Sequence, residues 1–223
     1  MDFRHEWKHE INPCDMAILR QRLRAVMKPD PHASSGSYFV RSLYFDSAAD
    51  SVLRDKLDGI QNREKFRIRY YNHDPNLIRL EKKSKRSGLV CKESVLLTAT
   101  EAQRIVDGNW EWMKESARPL VRELHSKMMS QGLRPRTIVD YTREPFIYGP
   151  GNVRVTLDYS IRTGLHSTDF LNPHCVTVPV GACPIILEVK WDHFLPDLIR
   201  DIVQLESRLT TAFSKYAICR IYD

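Results

Sequence analysis

Five stretches of this 223-residue chain carry polar side chains, nearly all charged, at every second position. Arg4, Glu6, Lys8 and Glu10 alternate with Trp7 and Ile11, and Lys65, Arg67 and Arg69 alternate with Phe66, Ile68 and Tyr70. Glu81 and Lys83 oppose Ile78, Leu80 and the stem of Lys82. Arg154, Thr156 and Asp158 oppose Val153, Val155 and Leu157. Glu188 and Lys190 oppose Ile185, Leu187, Val189 and Trp191. Successive side chains of a strand point to opposite faces, so each stretch reads as a strand with one apolar and one charged face.

A sheet with one face in water shows the same alternation. Two features point elsewhere. The charged faces are dominated by Arg, Lys and Glu, with hardly another polar residue. The intervening helices carry apolar stripes that need a sheet face to pack on. The apolar strand faces therefore turn outward under the helices, and the charged faces line an interior. Such an interior cannot be dry, because desolvating an unpaired ion costs several kcal/mol against a domain stability of roughly 5–15 kcal/mol. An excess of Arg and Lys over Glu calls for a polyanion, and the planar fork of Arg suits phosphate oxygens. The remaining carboxylates suit a hard divalent cation that bridges to phosphate. A triphosphate with a metal ion matches both.

The elements that must position these residues follow from local signals. Period-two patterns cover roughly 3–11, 38–45, 64–72, 77–84, 88–97, 136–147, 152–162 and 184–191. Asn12-Pro13 opens a helix carrying Met16, Leu19, Leu23 and Val26, and a second helix after Asp46 contains Leu53 and Leu57. Thr98-x-x-Glu101 reads as a capping box for a third. A fourth is expected over 115–131, ending at Gly132, and two more around 198–209 and 212–219. Segments 28–37 and 164–183 read as loops at the rims. The expected fold is α+β: an antiparallel eight-stranded β-tunnel, closed or nearly so, with helices packed on the outside, in one domain over residues 1–223.

Composition sets outer bounds. A formal net charge of +6 fits an anionic partner without naming it. The five cysteines are scattered and never form a C-x-x-C pair, which argues against a disulfide framework or zinc site and fits a reducing cytoplasm. The charged start Met1-Asp2-Phe3-Arg4-His5-Glu6 is unlike a signal peptide, and no apolar run of about 18 residues could insert into a bilayer. No Ser/His/Asp or Cys/His arrangement stands out. Nucleic-acid binding wants exposed basic faces with stacking aromatics, whereas these basic residues alternate into an interior.

Arg4-x-Glu6-x-Lys8, Ser42-Leu43-Tyr44-Phe45-Asp46, Arg67-Ile68-Arg69 and Leu80-Glu81-Lys82-Lys83 occur in order along the chain. So do Tyr141-x-Arg143, Arg154-x-x-x-Asp158, Leu187-Glu188-Val189-Lys190 and Phe213-Ser214-Lys215-Tyr216. The series resembles the VTC domain, the polyphosphate polymerase domain of the triphosphate tunnel superfamily. That resemblance implies transfer of the γ-phosphoryl group of ATP to a growing polyphosphate chain. It places Lys8, Arg67, Arg69, Lys83, Arg143 and Lys215 in the catalytic set, and Lys92, Arg154, Tyr141, Ser214 and Lys190 around the substrate. Glu188 would hold Mn²⁺ or Mg²⁺, and Asp158 matches the lumen pattern.

Hydrolytic relatives begin with Glu-x-Glu-x-Lys. Arg4 stands at the first of these positions, which removes a carboxylate and favours polymerase over hydrolase. Eukaryotic members also carry a regulatory domain and membrane helices. These 223 residues contain neither, so vacuolar location and inositol-phosphate control are not carried over. Two other readings use almost the same residues: a triphosphatase, and a non-catalytic module that binds polyphosphate or inositol phosphates.

Overall fold

The computed structural model describes residues 4–33, 35–86, 89–205 and 212–221. The chain runs β1 (His5–Ile11), α1 (Pro13–Val26), β2 (Lys28–Pro29), β3 (Tyr38–Asp46), α2 (Ser51–Leu57) and β4 (Arg63–Tyr71). It continues through β5 (Asp74–Arg86), β6 (Leu89–Leu97), α3 (Ala99–Val106), α4 (Glu111–Lys114), α5 (Pro119–Gln131) and β7 (Arg134–Tyr148). Then come β8 (Val153–Thr163), β9 (Val178–Pro179), β10 (Ile185–Trp191), α6 (Asp197–Val203) and α7 (Lys215–Cys219).

Eight strands form one antiparallel path in the order β1-β10-β8-β7-β3-β4-β5-β6, with the two-residue β2 and β9 attached to β7 and β8. β1 and β5 lie six strands apart on this path, which in a flat sheet would separate them by roughly 29 Å. Yet Lys83 Nζ on β5 sits 3.0 Å from a Glu6 carboxylate oxygen on β1. The sheet must therefore curl around a lumen. Register shifts at Tyr44/Phe45, Arg69/Tyr71 and Asp140/Thr142 provide local bends. β1 and β6 end the hydrogen-bonded path, so side chains reach across the seam.

The apolar strand faces do turn outward. Met16, Leu19 and Leu23 of α1 and Ile199 and Val203 of α6 pack on Val153, Val155, Leu157, Leu187 and Val189. On the other flank, α3 to α5 bring Ala102, Ile105, Met113, Val121 and Leu124 onto Leu43, Phe66, Ile68 and Leu80. The starts of α1 and α3 carry the expected capping boxes, Asn12 with Asp15 and Thr98 with Glu101. Lys82 also faces outward, where Glu64, Glu93 and Glu123 surround its ammonium.

Several boundaries differ from expectation. The helix expected over 115–131 starts only at Pro119, as α5, because proline suits the first turn of a helix, and the short α4 precedes it outside the expected range. Gly132 does close α5 in a left-handed conformation, at φ 68°. The helix expected over 198–209 ends at Val203 and starts one residue earlier; 206–209 fall outside the described residues, as does position 3 of the first strand. The helix expected over 212–219 starts only at Lys215, because the Ser214 hydroxyl caps it by accepting from the Ala217 N–H.

α7 packs on the inner face, with Tyr216 and Cys219 against Val40, Tyr44, Val139, Tyr141, Ile161 and Ile186. Its anchor is Asp46, buried at the end of β3, which accepts from the Tyr216 hydroxyl and from the Ser47, Val52 and Leu53 N–H groups. One carboxylate thereby caps α2 and docks α7. Asp46→Ala removes that cap and strands a buried phenol, so it is expected to lower unfolding free energy by about 2–4 kcal/mol in urea titration.

Candidate functional site: a braced cationic tunnel

The lumen is a cavity of about 340 Å³, within the range of small-molecule sites, roughly 300–1,000 Å³. The structure brings all twelve residues singled out above to its wall: Lys8, Arg67, Arg69, Lys83, Lys92, Tyr141, Arg143, Arg154, Glu188, Lys190, Ser214 and Lys215. Strand pairing explains the convergence. Lys8 lies opposite Glu188, Arg143 opposite Asp158, Arg67 opposite Glu81, and Lys65, Lys83 and Lys92 stand in one row across β4, β5 and β6. Ser214 and Lys215 come from the start of α7. In all, eleven Arg and Lys side chains line the cavity against two carboxylates, Glu6 and Glu188. That imbalance selects a polyanion.

Four carboxylates brace these cations. Asp158 binds Arg143 through two bonds of 2.6 and 2.7 Å and holds Lys215 Nζ at 2.6 Å. Glu188 reaches Lys190 at 3.1 Å, Arg143 at 3.2 Å and Lys8 at 3.5 Å. Glu6 contacts Lys8 at 2.6 Å and Lys83 at 3.0 Å. Glu81, buried behind the wall, holds Arg67 at 2.7 Å and Lys92 at 2.5 Å. Burial alone would raise all four carboxyl pKa values, but the surrounding cations outweigh it. Glu6 and Asp158 are drawn down to about 2, and Glu81 and Glu188 also fall below the usual carboxylate range. The braces stay ionised at neutral pH.

The basic groups respond unevenly. Burial opposes the Lys8 ammonium, yet Glu188 and Glu6 hold its pKa above the ordinary lysine value. Burial prevails at Lys190, which falls to about 8 despite Glu188 and Glu6. It prevails further at Lys65, which falls to about 7 with Lys83 and Arg67 repelling it and Tyr44 opposing the shift. Burial would raise the Tyr44 phenol, but Arg67, Lys65 and Arg69 pull it down to about 7. Arg67 donates to the Tyr44 hydroxyl at 2.8 Å, and Arg69 donates to the Tyr141 hydroxyl at 3.1 Å.

Lys65 and Tyr44 were visible only as parts of longer patterns. Tyr38, whose hydroxyl accepts from Arg154 at 2.9 Å, was read only as part of an expected strand. Thr156 Oγ1 is buried without a hydrogen-bond partner among the described residues, on the strand position facing Glu188. Arg4 has turned its guanidinium to Asp192, 2.7 Å away, at the rim.

A divalent cation fits this wall only together with phosphate. Among the described residues, no group of three or more His, Cys, Asp or Glu could hold a metal ion. Glu188 and Glu6 share Lys8 and Lys190, so the two carboxylates share one wall. One or two carboxylates plus substrate phosphate oxygens is the coordination that Mg²⁺ commonly takes. Glu188 is the buried member of the pair, with the orphaned Thr156 hydroxyl on the neighbouring strand.

Comparison with known proteins agrees with this geometry. A search of the curated proteins finds no match. A candidate adenylate cyclase from Bacillus halodurans shares the fold at a TM-score of 0.53 and 12% identity, covering 85% of this chain and 80% of that one. The PH1012 protein of Pyrococcus horikoshii aligns at a TM-score of 0.48 and 9% identity, covering 96% of this chain and 98% of that one. At such identity the likeness to the first is one of fold. The VTC domain model matches residues 3–221, nearly the whole sequence. The chain belongs to the VTC domain family, within the triphosphate tunnel superfamily.

Proposed function

We propose that this chain is a metal-assisted phosphotransferase that extends polyphosphate from ATP. The observation that carries the reading is the lumen wall of eleven cations, most of them held by the carboxylates of Asp158, Glu188, Glu6 and Glu81. The triphosphate lies in the lumen with its base toward the rim. An anionic oxygen of phosphate, or of a chain end, forms a bond to the γ-phosphorus. The bond from that phosphorus to the β–γ bridging oxygen breaks, and its electron pair leaves with ADP. The acceptor oxygen is already deprotonated, so no general base is required. Arg143, Arg67, Arg69 and Lys8 hold the equatorial oxygens and neutralise charge as it spreads in the transition state. Glu188, aided by Glu6, would hold Mn²⁺ or Mg²⁺ against the same phosphates; the ion supplies further charge neutralisation and alignment.

Two observations favour transfer to phosphate over hydrolysis. Arg4 adds a cation where hydrolytic relatives have a carboxylate, and it is engaged with Asp192. Both lumen carboxylates are shared among lysines, which leaves little basicity to activate a water. Incubation with ATP and Mn²⁺ is therefore expected to yield long polyphosphate on a gel. Free phosphate as the sole product across acceptor and metal conditions would overturn the polymerase reading in favour of a triphosphatase. Glu188→Gln is expected to retain triphosphate binding while turnover falls by at least about a hundredfold. Unchanged turnover in that variant would remove Glu188 from the metal site.

The lowered lysine pKa values give a signed pH dependence. Lys65 and Lys190 are charged below about 7 and 8 and neutral above, and only the charged forms attract phosphate. Tyr44 gains negative charge over the same window. Triphosphate affinity should accordingly fall roughly ten- to a hundredfold between pH 7 and 9 by calorimetry. Lys65→Arg, which keeps its charge, should flatten the profile.

A further inference from the structure

A second cavity, of about 350 Å³, opens beside the lumen and shares Glu6, Lys8, Lys65 and Lys83 with it. Four of its cations differ from most of those of the lumen in their pairing. Lys56 on α2, Arg63 and Lys65 on β4, and Lys85 on β5 all line it. Arg63 lies opposite Lys85 and Lys65 opposite Lys83, so like charges stand directly across neighbouring strands. Such pairs are destabilising unless something neutralises them. Among the described residues none of Lys56, Arg63, Lys65 and Lys85 forms an ion pair with a carboxylate.

Glu64, which also lines this cavity, pairs with Lys82 and Lys127. Glu6 is taken by Lys8 and Lys83. The Lys56 ammonium is held below its usual pKa by burial and by Arg63, Lys8 and Lys85, which line the same cavity. The aromatic part of the wall offers no competing explanation. Trp191 stacks on His5 with centroids 5.3 Å apart and meets the edge of Trp7 at 4.6 Å, so these rings pack on one another.

We propose that Lys56, Arg63, Lys65 and Lys85 form a second phosphate site at the tunnel mouth, which takes the end of an inorganic phosphate chain while the donor triphosphate occupies the lumen. The site rests on the polyanion reading of the lumen and adds to it the acceptor's position. Lys65, which lines both cavities, stands where donor and acceptor meet. The missing carboxylates have a physical reason. A braced cation is held in place by its carboxylate, which suits fixing a donor, whereas a cluster without carboxylate partners leaves its side chains open to a chain that must advance after each addition.

The test titrates inorganic tripolyphosphate by calorimetry into full-length protein, alone and after saturation with a non-hydrolysable ATP analogue. The unsaturated wild type should bind two equivalents and the saturated protein one. In Lys56→Gln/Lys85→Gln the analogue should bind as in wild type, which also reports folding. Tripolyphosphate binding to that saturated variant should weaken at least about tenfold. A single equivalent in the wild type, or an unweakened second equivalent in the variant, would overturn the mouth site and leave the lumen reading standing. Absence of any binding to the wild type would overturn both.

Discussion

Everything in this molecule depends on keeping many like charges inside a curled sheet without a ligand to neutralise them. Coulomb repulsion among close cations in a partly dehydrated wall would open the tunnel if nothing opposed it. Asp158, Glu188, Glu6 and Glu81 oppose it, each holding two or more basic groups. The basic side chains are consequently set in position by the folded chain itself, and the cost of organising them is met by folding. The same braces hold the seam, since Glu6 and Lys83 join strands that no shared ladder connects.

This arrangement requires the fold to be inside out relative to an ordinary sandwich. The hydrophobic clusters lie between the outer sheet faces and the helices, so they stabilise the tunnel from outside. The lumen is then relieved of any packing duty and can be given over to charge. One end of the inner face is the exception. There α7 plugs against Tyr44 and Tyr141 and delivers Lys215 to Asp158. Asp46, which does not line the lumen, fixes that helix and so fixes a lumen cation.

Much of the site was legible because period two is a strong signal. Once Lys65, Arg67 and Arg69 share a face, a common wall follows from strand geometry. The outward direction of the apolar faces followed from the helices' need for a partner. Less legible was the division of labour among charges. Nothing local distinguishes Glu81, which lies behind the wall as a brace, from Glu188, which faces the cavity. Tyr38 lay in an expected strand, but nothing local marked it as a lumen residue, since its role depends on Arg154, more than a hundred residues away in sequence. Helix ends were the weakest point, because Pro119 and the Ser214 hydroxyl decide them one residue at a time.

The amino-acid sequence by itself determined that strands with one apolar and one basic face must surround a wet, anion-seeking interior, because alternation is a property of each strand alone. Only the tertiary structure decided which cations are braced and which are left bare, how far Lys65 and Tyr44 are drawn toward neutrality, and that β1 meets β5 across a seam. Those are properties of distance and burial, and residues remote in the chain acquire them only when the sheet closes on itself.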